Sequence, residues 1–383
     1  GTSANDWAKM FYEFDNAICP EAIHIILCAG VDGTILENGW EDDIRLPSQG
    51  GNGIPAPKQM IDLFPMADGS RPTSANGYDE FLFFLNRDPR FYRTFGFSGL
   101  KWKHAETSDN PASSVVWTYA YMDTDSTISA WYSDNGNLSE NDIESYAFVT
   151  KMTNLDVDSL AYNLTGTDIY EYRFAELLLN IAECYAAQGN IGECANYLGK
   201  VRARVGIPSA NNYGLGNLTD KYHALEACLY ERRVELAYEG KRFWDLQRWM
   251  LYNDDPATDN NTCAKLGVTP LNGTARTGMY LQVKDSITGE DPLTGMLNVS
   301  YDPEAANLNE QLDALATFYS TYFEFTELEE PMDQLFGTAT VIDWKQHYYV
   351  HGIHASILTS NPWLEQTIGW NDNFGNPGTF NYR

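Results

Sequence analysis

An arginine placed inside an apolar helical stripe constrains the fold of this 383-residue chain more than any other feature. Between about residues 221 and 249 the spacing predicts a helix on which Leu225, Cys228, Leu229 and Leu236 share one side, with Arg232 among them. A guanidinium carried into a core has to meet a carboxylate there. Glu235 and Glu239, further along on nearly the same side, are its expected partners, and Arg242 and Asp245 continue the charged run. The expectation is a structural ion-pair network of Arg232, Glu235, Glu239, Arg242 and Asp245.

The same segment admits a catalytic reading. Glu231, Glu235 and Glu239 are spaced i, i+4, i+8. Helical neighbours can reach the carboxyl separations of about 5–5.5 Å or about 6.5–9.5 Å that glycoside hydrolases use. Arg232, Arg233, Arg242 and Arg248 crowd the segment, however. A carboxylate beside guanidinium groups stays ionised and cannot act as a general acid near neutral pH. The ion-pair reading is therefore preferred. His347, His351 and His354 would suit zinc if they shared one helical face, but Tyr348-Tyr349-Val350 and Gly352 argue against a continuous helix. They are expected to be ordinary polar residues, with no metal and no cofactor. Nucleophile-elbow, zincin, phosphate-loop, dinucleotide and EF-hand motifs do not occur.

A second helical pattern covers residues 168 to 205. Leu178, Ile181, Ala182 and Tyr185 have the spacing of a tetratricopeptide first helix, and Gly189-Asn190 supplies the turn. Cys194, Leu198 and Val201 fall where the second helix places its small and apolar residues. One such pair cannot bury its own faces, so other helices must cover it. Upstream, Glu21 to Leu27 reads as a short buried strand or helix ended by Ala29-Gly30, and Gly50 to Pro57 as a loop. Residues 104 to 145 read as a long surface excursion, and residues 302 to 333 as an acidic face around a helical run from Leu312 to Phe325. Two regions are expected within one integrated fold: a loop-rich part over 1–165 and a helical part over 166–383.

Composition narrows the partners. Twenty-five Lys+Arg against 53 Asp+Glu give a net charge of −28, which repels nucleic acid and anionic lipid. No run of eighteen apolar residues spans a membrane, and the opening Gly1-Thr2-Ser3 reads as a tag remnant or an internal start, with no signal peptide. The six cysteines lack zinc spacing and read as small packing residues, not as a disulfide framework. Aromatic residues reach 14%. Trp102, Trp117, Tyr119, Tyr121, Trp131 and Tyr132 cluster in the segment without helical periodicity, among Asn110, Asp123, Asp125, Asp134 and Asn135. Flat rings with polar neighbours suit the C–H faces and hydroxyls of a sugar, or a peptide, and these six are the expected ligand-binding residues.

Several segments, taken in order, resemble the SusD/RagB family. Met66-Ala67-Asp68-Gly69-Ser70 with Tyr78, and Arg87-Asp88-Pro89-Arg90-Phe91, are similar to two of its stretches. Tyr172 to Glu183 and Val201-Arg202-Ala203-Arg204-Val205-Gly206 resemble its helix pair. Glu231 to Leu246, followed by Arg248-Trp249, is similar to its strongest signature, and Asn361-Pro362-Trp363-Leu364-Glu365-Gln366 with Gly369-Trp370 to its closing one. Two departures stand out. The family's N-terminal third, with the lipidated cysteine, has no counterpart, and His351-Gly352-Ile353-His354 replaces a proline-rich turn.

The resemblance implies a mostly α fold: a tetratricopeptide-like scaffold carrying an irregular, loop-rich ligand-binding region. It implies a non-catalytic receptor, lipid-anchored at the outer face of the outer membrane. Such a receptor binds oligosaccharide or peptide nutrients and passes them to a TonB-dependent, SusC-like transporter barrel. A glycoside hydrolase with an atypical carboxylate site and a tetratricopeptide protein scaffold are the competing readings.

Overall fold

The computed structural model describes residues 3–12, 19–28, 39–45, 53–102, 115–122, 128–133, 136–138, 145–156, 167–255, 257, 260–284, 293, 295–328 and 330–381. The packing divides into two units, residues 1–240 with 276–339, and residues 241–275 with 340–383. The division thus falls inside the expected helical region and not at residue 165.

In the larger unit a three-helix scaffold stands out: α5 (Phe174–Ala187), α6 (Ile191–Arg204) and α7 (Lys221–Glu235). Gly189, at φ +77°, takes the left-handed conformation that ends α5, and the Asn190 side chain caps α6 by accepting from Glu193 N–H. Asp220 caps α7 in the same way, through Tyr222 and His223 N–H. Ala175, Leu179, Ala182 and Ala186 form the buried face of α5, and Cys194, Leu198 and Val201 that of α6. The helix pair is where the spacing put it, but the buried face of α5 is rotated from the expected one. Leu178 and Ile181 instead line an open groove of about 490 Å³ with Phe174 and Tyr197.

Around the scaffold lie α1 (Ala4–Lys9), α2 (Trp40–Ile44), α3 (Lys58–Leu63), α4 (Phe91–Thr94) and α10 (Leu308–Tyr322). The expected helical run from Leu312 to Phe325 breaks at Phe323. There the chain enters β11 (Phe323–Glu327), which pairs in antiparallel register with β10 (Met279–Val283), Phe323 opposite Val283. β10 lies parallel to β5 (Tyr119–Met122), and β6 (Ile128–Ser133) and β7 (Gly136–Leu138) complete a five-stranded sheet. The segment expected to be an irregular excursion therefore supplies three strands to this sheet. Residues 103–114, 123–127, 134–135 and 139–144, with Asn110, Asp123, Asp125, Asp134 and Asn135, lie outside the described residues.

Small ribbons finish the unit. β1 (Ala22–Ile26) pairs with β9 (Ile169–Arg173), β2 (Phe95–Phe97) with β8 (Ala147–Val149), β3 (Leu100–Lys101) with β4 (Val115–Val116), and β12 (Gln334–Leu335) with β13 (Thr338–Ala339). The segment from Glu21 is a strand, but Ile23 and Leu27 are exposed, so it is not the buried one expected.

The core between sheet and helices is aromatic. Phe83 packs against Phe84, Phe91, Phe97 and Tyr146, and Phe97 stacks on Tyr301 at 4.3 Å. Arg87, almost fully buried, donates to the carbonyls of Ile61, Phe64 and Phe83, closing the C-terminal end of α3.

The smaller unit contains α8 (Arg242–Arg248), α9 (Thr262–Leu266) and α11 (Ala355–Ser360). Trp344 stacks face to face on Tyr252 at 3.7 Å, and the Tyr349 hydroxyl accepts from Tyr252 and Asn253 N–H. Trp370 Nε1 donates to Val350 O at 2.8 Å, which ties the closing segment down.

Candidate functional site

Six separated stretches of the larger unit send charged side chains into one buried cluster. Arg90, just ahead of α4, is its centre. Its guanidinium donates to Asp88 at 2.7 and 3.1 Å, to Glu231 at 2.7 Å and to Glu235 at 2.8 Å, and none of these side chains is exposed. Arg202 of α6 takes the other Glu231 oxygen at 2.7 Å. Its Nη1 also donates to the carbonyls of Gly69 and Tyr213. That clasp depends on glycine: a Cβ on Gly69 would stand 2.3 Å from Tyr213 O, and φ there is +82°.

Glu235 accepts from four donors. Arg173 Nη1 lies at 2.7 Å and Trp7 Nε1 at 2.9 Å, and Arg204 and Arg90 supply the others. Glu239 accepts from Arg173 at 2.7 and 2.8 Å and from Lys151 Nζ at 2.6 Å. Glu21 bridges Arg173 at 3.0 Å and Arg204 at 2.8 Å. Five cations (Arg90, Lys151, Arg173, Arg202, Arg204) thus face five carboxylates (Glu21, Asp88, Glu231, Glu235, Glu239), and the cluster is neutral as a whole.

Burial alone would push these carboxyls up. For Glu235 the guanidinium groups of Arg204, Arg173 and Arg90 outweigh it and hold the group well below the usual carboxylate range. Glu231 is lowered against burial by Arg202 and Arg90, and Glu239 by Arg173 and Lys151. Burial lowers Lys151 to about 8, against the pull of Glu239. Carboxylates so saturated are firm anions with their lone pairs occupied. They can hold the scaffold together but have no proton to donate near neutral pH.

The ion pairs differ in membership from the expected network. Arg232 reaches Glu176 at 3.3 Å and Asn180 at 2.7 Å, not the anticipated Glu235 and Glu239. Glu239 is not on the helix. α7 ends at Glu235, the chain turns through Tyr238 (φ +62°) and Gly240 (φ +74°), and the Glu239 carboxylate comes back toward Arg173. Arg242 and Asp245 belong to the smaller unit, where buried Asp245 accepts from Arg248 at 2.8 Å. Arg90, Lys151, Arg173, Arg202 and Arg204, with Glu21, Asp88 and Glu231, are the members that the expected network lacks. Of these, Lys151 carries a local signal, as a lone cation in the stretch Phe148 to Asn154.

The six aromatic candidates divide. Trp102 is fully buried, stacked on Phe148 at 5.7 Å beneath the Arg45 guanidinium. Trp117, 2% exposed, packs on Phe318 at 5.5 Å, and Tyr119, fully buried, on Phe323 at 5.4 Å. These three rings are core, a correction to the expectation that they stack on ligand. Their surfaces are already covered by other rings. Tyr121 is half-buried at the edge of the same core. Trp131 and Tyr132 lie on β6, with Ala120 and Tyr119 as their β5 pairing partners, and their side chains lie outside the described residues.

The three histidines do not share a helix: His347 is in a 3-10 turn against Trp370, and His354 caps α11 through Ser356 N–H. Among the described residues no three His, Cys, Asp or Glu side chains are grouped to hold a metal ion. Among them, too, no helix is long and apolar enough to cross a membrane.

Comparison with known proteins adds the family context. The model of the SusD family matches residues 33–370. The crystal structure of a SusD-like protein from Bacteroides fragilis superposes with a TM-score of 0.59 at 18% identity, over 97% of this chain and 58% of that one. The SusD-like protein P38 of Formosa agariphila is 31% identical over 93 residues, which are 24% of this chain and 18% of that protein. The chain thus spans less than two thirds of the relatives it matches.

Proposed function

Since the chain belongs to the SusD family, we propose that it is a non-catalytic receptor that binds oligosaccharide outside the cell and delivers it to a TonB-dependent transporter barrel. In this reading it stands at the outer surface of the outer membrane, held by a lipid anchor. The observation that carries the non-catalytic part is the saturation of Glu231, Glu235 and Glu239 by Arg90, Arg173, Arg202, Arg204 and Lys151. The segment with the most enzyme-like spacing is spent on joining the family's signature stretches to one another. The ligand would meet the β5–β6 ribbon, which carries Tyr121, Trp131 and Tyr132.

Affinity electrophoresis against a panel of soluble polysaccharides tests this reading. Retardation by at least one glycan without release of reducing ends is the expected result, together with co-purification of a barrel transporter from outer membranes. Release of reducing ends that disappears in Glu231→Gln would replace the receptor with a hydrolase.

A further inference from the structure

Two thiols that the network does not use meet inside the helical scaffold. Cys194 of α6 and Cys228 of α7 are both fully buried, and their Sγ atoms lie 3.5 Å apart. Cys194 Sγ also approaches Ala224 O, one turn earlier on α7, so it faces α7 directly. All six cysteines are free thiols in the structure, and Cys184, on the outer face of α5, is exposed. A disulfide needs its sulfurs at about 2.05 Å and its Cβ atoms at about 3.8 Å. At 3.5 Å the two sulfurs face one another across the α6–α7 contact, about 1.5 Å beyond bonding distance.

We propose that Cys194 and Cys228 form a disulfide that staples α6 to α7. The same two helices are joined by Arg202–Glu231 and Arg204–Glu235. A covalent link would hold that interface together as the ion pairs form. It would also close a loop of 34 residues that contains the Tyr213–Gly214 crossing over Gly69. The oxidant is a disulfide, either oxidised glutathione or that of a thiol oxidoreductase. One thiolate attacks it and displaces a thiol, giving a mixed disulfide. The second thiolate then attacks its own chain's sulfur and releases the second thiol. The chain loses two protons and two electrons, and the external disulfide becomes two thiols. Because both sulfurs are buried in the folded protein, the exchange belongs to folding, before α6 closes on α7, and the finished bond is shielded from reductant afterwards.

The experiment is to unfold and reduce the chain, then refold it in a glutathione redox buffer or in excess dithiol, quench with acid, alkylate and map peptides without reduction. Oxidative refolding is expected to yield one linked peptide pair, Cys194 with Cys228, and four alkylated cysteines. That product should melt several degrees above the dithiol-refolded protein and keep its bond in reductant until it is unfolded. Cys194→Ala and, separately, Cys228→Ala should each lose the linked pair and leave the remaining cysteine alkylated. Quantitative alkylation of both positions after oxidative refolding overturns the proposal. So does linkage of either one to Cys184, or a linked protein that melts no higher than the reduced one. None of these readouts depends on ligand binding, so the receptor reading stands or falls separately.

Discussion

Arg90 and Glu235 are 145 positions apart and meet at 2.8 Å with neither side chain exposed. The contact joins the chain ahead of α4 to the last residue of α7, and Asp88 and Glu231 share the same guanidinium. Folding the larger unit and assembling this cluster are one event, because any single charge buried without its partners is strongly unfavourable.

Glu235→Gln tests this directly. Three guanidinium groups would face a neutral amide, and breaking a buried pair costs about 3–5 kcal/mol. The melting temperature should fall. Arg90→Lys should also destabilise, because an ammonium cannot reproduce the fork that serves Asp88, Glu231 and Glu235 together. Glu239→Gln is expected to lower stability too, since it weakens the hold on Arg173 and Lys151. Parent-like melting in all three, with loss of glycan binding, would move these residues from scaffold to site.

The cluster also sets a pH dependence. Glu231, Glu235 and Glu239 titrate below their ordinary value of 4.5 in the folded protein, so the unfolded chain takes up protons first as pH falls. Stability from these groups is fully present above about 4.5 and is lost as pH drops through their folded values. Denaturant titrations from pH 6 to pH 3 should show a falling unfolding free energy. Glu235→Gln should flatten that slope. A slope equal in parent and variant would remove Glu235 as its source.

How much of this could be read from the chain depends on the range over which each signal acts. The turn at Gly189-Asn190 and the two helices beside it obey local rules of spacing and capping, and they lie where the pattern put them. Arg232 in an apolar stripe signalled that a buried charge needed a partner. Its actual partner, Glu176, is 56 positions away, and no helical spacing encodes that distance. Trp102, Trp117 and Tyr119 were misjudged for a different reason. Trp102 and Trp117 each directly follow a two-residue strand, Tyr119 opens a four-residue one, and Tyr119 and Ala120 are both buried, so neither 3.6-residue periodicity nor alternation appears. Large rings without a pattern looked like a binding surface. In the fold Trp117 packs on Phe318 of α10, Tyr119 on Phe323 and Trp102 on Phe148.

His347, His351 and His354 are expected to bind no metal. Dialysis against chelator should leave both the melting temperature and any glycan retardation unchanged. His351→Ala should melt like the parent, since His351 is exposed. Stoichiometric zinc in the purified protein, lost in that variant together with stability, would contradict this.

The aromatic residues give the sharpest contrast between packing and binding. Trp117 fills space between Phe318 and Phe323, and Trp102 lies under Arg45 against Phe148. Truncating either to alanine leaves a cavity, and a buried tryptophan lost this way costs about 3–5 kcal/mol. Affinity measured on the folded fraction should not change. Trp131→Ala is expected to behave in the opposite sense. If that ring covers a sugar face, its loss should weaken binding by about 1–3 kcal/mol, as for an aromatic hot spot. The melting temperature should move less than for Trp117→Ala. Isothermal titration with a retarded glycan, run beside thermal melts of all three variants, separates the two roles. Unchanged affinity in Trp131→Ala would take the ligand away from the β5–β6 ribbon. A Trp117→Ala protein that stays fully stable and loses affinity would return that ring to the binding surface.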